Sequence, residues 1–354
     1  MKTTLKSFLY FLTGSISFAL LIPISACNDS KGMYFIVQAD AEQKKGNYEK
    51  AKEYCTEAIK LDSNDMLAFE TRAIQEMVLL DNQSALKDLD RVVKLRPKHA
   101  VAYYYRGDVR RLLKDTLGAI EDYKKAMEMD SSIVHVYERL GDIEIAKKDS
   151  GSAREFYNKA IKHDTNNGRA YFGIAWIELG KRTYKAAASD FERSIKIALS
   201  GKNTLYLGSA FQGLGVADEF LKDTLAALTS FSQSIQYGAS HIKCWSYHYR
   251  ANLELSMKDT DKALKDYTMA IKNDPKFAWP YYGVGYIESL RHEYKESIND
   301  FTTGISLMPD KRGYYRRGLD YIESGEKKSG CEDLYKAKEM GDRRADSVIK
   351  IHCK

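Results

Sequence analysis

The chain has 354 residues, with 55 Lys and Arg against 49 Asp and Glu, a formal charge of +6. The basic residues are interspersed with acids, as in Glu121-Asp122-Tyr123-Lys124-Lys125, so the charge forms no concentrated stripe of the kind nucleic acid requires. Length alone would suggest two domains, but an internal repeat, described below, overrides that prior and predicts one continuous array.

The first 27 residues stand apart. Lys2 and Lys6 supply positive charge, Phe8 to Ile24 is largely apolar, and Ile24-Ser25-Ala26-Cys27 places small residues before a cysteine. A charged start, an apolar stretch and a small-residue cut mark a secretory signal. The cysteine makes the segment resemble a bacterial lipoprotein signal. That resemblance implies cleavage before Cys27, lipid on Cys27 and a place in the bacterial cell envelope, at an inner or outer membrane. An uncleaved anchor helix is the alternative, although the span is short and broken by Pro23. Residues 28–31 would then be a short tether, keeping the first helices near the bilayer.

From residue 32 to 344 the chain repeats with a period of 34. Position four of each unit is aromatic: Phe35, Phe69, Tyr103, Tyr137, Tyr171, Phe211, Tyr247, Tyr281 and Tyr314. Position eight is Gly or Ala throughout, from Ala39 to Gly318. Position 20 is small, position 24 mostly large (Tyr123, Tyr157, Phe191, Phe231, Tyr267, Phe301), and position 27 small in all copies but that of Val92. Apolar residues spaced by three and four share one helix face. Small residues let two helix axes approach, and the bulky ones fill the space beside them. Each unit therefore reads as two antiparallel helices that must stack on their neighbours to hide their apolar faces. Lys-Asp-Thr or Lys-Asp-Ser recurs between the helices, as at 114–116, 148–150, 222–224 and 258–260, where Asp, Ser or Thr can cap the second helix. Pro97, Pro275 and Pro309 fall at position 32, and Pro280 in a helix's first turn, where proline is tolerated. Residues 202–207 and 242–243 are additions to the period. Residues 345–354 read as a C-terminal cap.

This code resembles the tetratricopeptide repeat. The resemblance implies an all-α, right-handed solenoid of about nine helix-turn-helix units with a short C-terminal capping helix. Position four is never the family's Trp, and the last copy departs with Gly330 and Lys338. In such arrays the first helix of each repeat lines a concave groove, chiefly through positions 2, 5, 9, 12 and 13. Carried over, those positions hold Tyr104, Phe172, Trp176, Phe220, Trp245, His248, Trp279, Tyr282, Tyr286 and Tyr315, including every Trp of the chain. Either these aromatics pack between helices or they form a strip for a partner, since Trp and Tyr often dominate binding energy. The N-terminal groove instead offers Asp40, Glu70, Asp108, His135, Glu138 and Asp142, a mixed surface that is either solvated or selective for a basic segment. Cys55 sits at a core position. If the tail folds back, Cys331 and Cys353 approach each other and either bond, as an oxidising envelope permits, or remain two thiols.

No His pair has metal-site spacing, and no Gly-rich phosphate loop or nucleophile elbow appears. The expectation is a protein without catalytic residues, metal or cofactor. It would be a membrane-anchored scaffold that binds a peptide or partner segment in the aromatic groove. The resemblance extends to lipoproteins that assist envelope assembly. A glycan or cell-wall-binding lipoprotein is the alternative, because aromatic rings stack on sugar faces.

Overall fold

The computed structural model describes residues 30–201 and 204–353. The expected signal, Cys27 and residues 202–203 of the first insertion lie outside them. Among the described residues there are nineteen helices and no strand. They fall into two compact units, Met1–Ile177 and Glu178–Lys354.

In the N-terminal unit α1 (Ser30–Lys44) pairs with α2 (Tyr48–Leu61), α3 (Met66–Val78) with α4 (Asn82–Leu95), α5 (Ala100–Leu112) with α6 (Thr116–Met129), and α7 (Val134–Ala146) with α8 (Ser150–His163). The first helix thus opens inside the stretch read as a tether. The division into units falls within α9 (Gly168–Gly180). In the C-terminal unit α10 (Tyr184–Ser200) precedes the pairs α11 (Leu207–Phe220) with α12 (Thr224–Tyr237), α13 (Ser240–Ser256) with α14 (Thr260–Asn273), α15 (Ala278–Leu290) with α16 (Tyr294–Leu307), and α17 (Lys311–Glu323) with α18 (Lys327–Glu339). The short α19 (Ala345–His352) closes the unit against α18. The insertion at 242–243 is absorbed by α13, which is lengthened to 17 residues.

The small-and-large code works through aromatic rings. Tyr123, Phe191, Phe231, Tyr267 and Phe301 are fully buried. A Cβ on Gly107 would lie 2.7 Å from the Tyr123 ring, and one on Gly215 2.7 Å from Phe231. Tyr157 is enclosed from two sides: a Cβ on Gly141 of its own repeat would lie 2.6 Å away, and one on Gly173 of the next repeat 2.5 Å away. The second glycine, at position six, is outside the 34-residue code read from sequence.

Each turn inside a repeat bends through a left-handed residue at position 15, with φ between +61° and +91°: Gly46, Leu80, Lys114, Lys148, Arg182, Lys222, Lys258, His292 and Gly325. Only two of the nine are glycine, so the turn holds ordinary side chains in a region that disfavours them. The next residue helps to compensate. Asp81, Asp115, Asp149, Asp223 and Asp259 cap the second helix, accepting backbone N–H bonds at 3.0–3.3 Å.

A second device joins the helices. Arg72, Arg106, Arg250 and Arg317 stand at position seven, and each grips the aspartate at position 23 of its own repeat. Arg72 donates to Asp88 at 2.6 and 2.8 Å. Arg106 donates to Asp122 at 2.9 and 2.6 Å, Arg250 to Asp266 at 2.6 and 2.9 Å, and Arg317 to Asp333 at 2.7 and 2.9 Å. The remaining arm reaches back to an oxygen at position 25 of the preceding repeat: Thr56, Asp90, Ser232 or Thr302. One guanidinium thereby ties three helices, with the bidentate geometry that favours arginine.

Repeat eight lacks this arginine, because Val284 occupies position seven. Its Asp300 is left beside Glu288 of α15. Burial, together with Asp300, pushes the Glu288 carboxyl up to about 8, and burial raises Asp300 as well. The folded chain therefore keeps a proton that the unfolded chain releases from about pH 4.5 upward, so this pair costs stability as pH rises through that window. Glu76 and Glu254, raised by burial to about 7 and about 6, act in the same direction. The midpoint of thermal unfolding is expected to fall between about pH 5 and pH 8, and Glu288→Gln to remove its own share of that fall. Parallel profiles for the two proteins would rule the pair out.

The C-terminal end is stapled. Ala345 of α19 is buried against Leu334 and Ala337 of α18. Cys331 and Cys353 form a disulfide with an S–S distance of 2.00 Å and 22 residues of separation. Closing a loop of that length stabilises by about 3 kcal/mol in the chain-entropy model. Reduction is expected to raise amide exchange in α19 and the end of α18, measured by mass spectrometry, and to leave α11 unchanged. Equal protection before and after reduction would show that packing alone holds the cap. Cys55 and Cys244 are free and buried, and burial pushes the Cys55 thiol up to about 12, which makes it unreactive.

Candidate functional site

The N-terminal unit uses its groove positions inwardly. Tyr104 is only 9% exposed and packs beside Tyr105, Tyr123 and His135. It is a packing residue and not part of an open strip, because the neighbouring repeat covers it. Asp40 stays exposed beside Lys44, but most of the other acidic positions are consumed. Asp108 accepts hydrogen bonds from the Tyr123 hydroxyl at 2.7 Å and from Arg139 Nε at 2.8 Å. Burial acts to raise Asp108, but the Arg139 guanidinium outweighs it and holds the carboxyl below its ordinary value. Asp142 is bound in the same way by the Tyr157 hydroxyl and Arg169, and Glu138 accepts from Asn167 at 2.7 Å. Asp108 and Glu138 are buried and Asp142 is half-buried, and each is held by a hydrogen-bond donor. Near the end of this unit, Phe172 and Trp176 meet edge to face, and Trp176 is 37% exposed.

The C-terminal unit is more open. Phe220 is 55% exposed and stacks on Tyr184 with ring centres 4.4 Å apart. Trp245 packs on Phe277 at 4.3 Å. His248 lies against Trp245, Tyr267 and Phe277, and burial lowers its pKa to about 4, so the ring is neutral.

From His248 toward α17 the surface opens into a cleft of about 330 Å³. The inner helices α13, α15 and α17 supply His248, Trp279, Tyr282, Tyr286, Arg312 and Arg316, and the segment before α19 adds Arg344. Gly283 and Gly313 lie on its wall, where the Tyr267 and Tyr282 rings occupy the space a Cβ would need. Tyr282 donates its hydroxyl to the Met308 carbonyl at 2.5 Å, which fixes its ring. Trp245, Phe220 and Tyr315 do not line this cleft. Its guanidiniums lie on aromatic rings: Arg312 is 5.1 Å from the Trp279 centroid, Arg316 4.6 Å from Tyr286 and Arg344 4.4 Å from Tyr315. A search for aromatics overlooks these arginines, although Arg312 is itself at position two, a groove position. Among the described residues no cluster of three or more His, Cys, Asp or Glu is placed to hold a metal ion, and no helix is long and apolar enough to cross a membrane.

Fold and site together define a helix-pair repeat protein with an aromatic and guanidinium-lined cleft on its inner helices. Residues 34–65 and 134–167 match one tetratricopeptide repeat family model, and residues 71–132 match another. These stretches are tetratricopeptide repeats, and the chain has the tetratricopeptide repeat fold, which suggests protein–protein interaction. Among solved structures it is similar to pilF of Pseudomonas aeruginosa, with 17% identity, 65% of this chain and 98% of that one covered, and a TM-score of 0.53. It is also similar to the C-terminal part of a TPR repeat-containing protein from Cytophaga hutchinsonii, with 18% identity, 70% and 99% covered, and a TM-score of 0.50. At these identities the likeness concerns the fold alone. No curated protein matches the sequence.

Proposed function

We propose that the chain is a membrane-anchored interaction scaffold, cleaved before Cys27 and lipidated there, which receives a partner segment on the inner helices of its C-terminal repeats and serves envelope assembly. The observation that carries the binding reading is the cleft between α13, α15 and α17. Trp279, Tyr282 and Tyr286 are part-exposed there beside polar guanidiniums, the mixture typical of binding hot spots. Arg312 covers one face of Trp279 and Arg316 one face of Tyr286, where a sugar would stack, which favours a peptide over a glycan.

Two experiments test the two halves of the reading. Metabolic labelling with a lipid precursor is expected to mark the wild type and not Cys27→Ser; label that persists in the variant refutes the anchor. Cross-linking capture from native membranes is expected to recover a protein that is lost when Trp176, Trp245 and Trp279 are replaced by alanine. Loss of one buried aromatic anchor typically costs about 2 kcal/mol or more. Equal capture by both proteins, at equal helicity, would move the interface off the groove.

A further inference from the structure

The three guanidiniums of the cleft differ in their counterions. Arg312 pairs with Asp310 at 2.9 Å, and the same carboxylate accepts the Arg312 amide at the start of α17. Arg344 pairs with Asp342 at 2.6 Å. Arg316 has no ion pair among the described residues; it rests on Tyr286 and lines the cleft. Asp320, one turn further along α17, is buried and accepts the Ser289 and Ser297 hydroxyls instead. Asp310 is the acidic residue lining the cleft, and it is already engaged. Asp320 acts on Arg316 only through space, so Arg316 is the cleft guanidinium with no salt-bridged carboxylate among the described residues, set beside apolar rings.

We propose that this cleft recognises its protein partner through an acidic side chain: an Asp or Glu whose carboxylate seats on Arg316, next to an apolar residue packed against Trp279 and Tyr282. The proposal rests on the groove reading above and names the partner's chemistry. A guanidinium lying on a ring keeps its N–H edge available for a carboxylate, and bidentate, charge-assisted hydrogen bonds are the strong ones. A basic segment meets three guanidiniums and finds no uncommitted carboxylate. A neutral segment fills the aromatic part and leaves Arg316 unanswered. His248, neutral at the other end, adds apolar wall and no charge.

The test is selection from a display library of random peptides on the purified full chain, on Arg316→Gln and on Trp279→Ala, each checked for unchanged helicity and unfolding midpoint. The wild type is expected to enrich peptides with Asp or Glu beside an aromatic or aliphatic residue. Synthetic copies of these should bind Arg316→Gln about tenfold more weakly, bind Arg316→Lys with only part of the loss restored, and weaken with rising salt. Changing their acid to its amide should cost the wild type the same factor and Arg316→Gln almost nothing. Peptides that need Trp279 but show no acidic preference, or keep it on Arg316→Gln, overturn the acidic anchor and leave the groove reading intact. If no enriched peptide depends on Trp279, both fail. Concentration-dependent self-association abolished by Arg316→Gln would assign the cleft to a second copy and likewise overturn the proposal.

Discussion

Replacing Asp122 with alanine is expected to destabilise the N-terminal unit by about 3–5 kcal/mol. The carboxylate is fully buried on α6. It accepts from Arg106 Nε and Nη2 at 2.9 and 2.6 Å, and Arg110 Nη1 lies 2.8 Å away. Without it, Asp90 is the one carboxylate left to Arg106, and Arg110 is left with the Gly118 carbonyl at 3.2 Å and the more distant Asp115 at 3.9 Å. The cost is that of stranding buried charge, not the net worth of the pair. A double variant, Arg106→Met with Asp122→Leu, should therefore be closer to the wild type than Asp122→Ala is. Urea unfolding of the wild type, Asp122→Ala, the double variant and its two singles, Arg106→Met and Asp122→Leu, decides the matter. A double variant at least as unstable as the sum of its singles would show that the two residues act independently.

Phe231→Ala should cost the C-terminal unit a similar amount, about 3–5 kcal/mol. The ring is fully buried, stacks on Tyr249 at 5.5 Å, and packs with Ala227 and Leu253. It also occupies the space that a Cβ on Gly215 would take. Gly215→Ala alone should therefore destabilise by about 1–3 kcal/mol through overpacking. In the Phe231→Ala background the same methyl enters the vacated space and should restore stability. Because a repeat touches mainly its neighbours, amide exchange should rise in α11 to α13 before it does in α17 to α19. A uniform rise through the unit would mean that it unfolds as one cooperative body.

The helix pairs were legible because their code is periodic: the same positions are aromatic or small in nearly every copy, so averaging over copies reveals them. What escaped was either irregular or crossed from one repeat to the next. Arginine at position seven occurs in only four repeats, and one of its partners lies in the preceding repeat, so a search within one unit finds at most half of the tie. The acids Asp108 and Asp142 looked available because Arg139 and Arg169 belong to the following repeat, and Glu138 because Asn167 lies at the far end of its own. Tyr104 was placed on the correct helix face, but face does not report depth. Lysine in a left-handed turn gives no compositional signal; among the nine turns, only Gly46 and Gly325 advertise the conformation. The arginines of the cleft were hidden by a search confined to rings.

The three-helix arginine tie bears on how such a chain can grow. A repeat with Arg at position seven carries its own aspartate but borrows an oxygen from the repeat before it. Repeat three is the clearest case: Arg106 reaches back to Asp90, while its own position 25, offered to whatever follows, is Lys124. The repeat that does follow has Leu140 at position seven and asks for nothing. A tandem duplicate of repeat three would set a second Arg106 against the first Lys124, cation to cation. The units share one scaffold yet are not interchangeable parts, and their order is written into which neighbour each can tolerate.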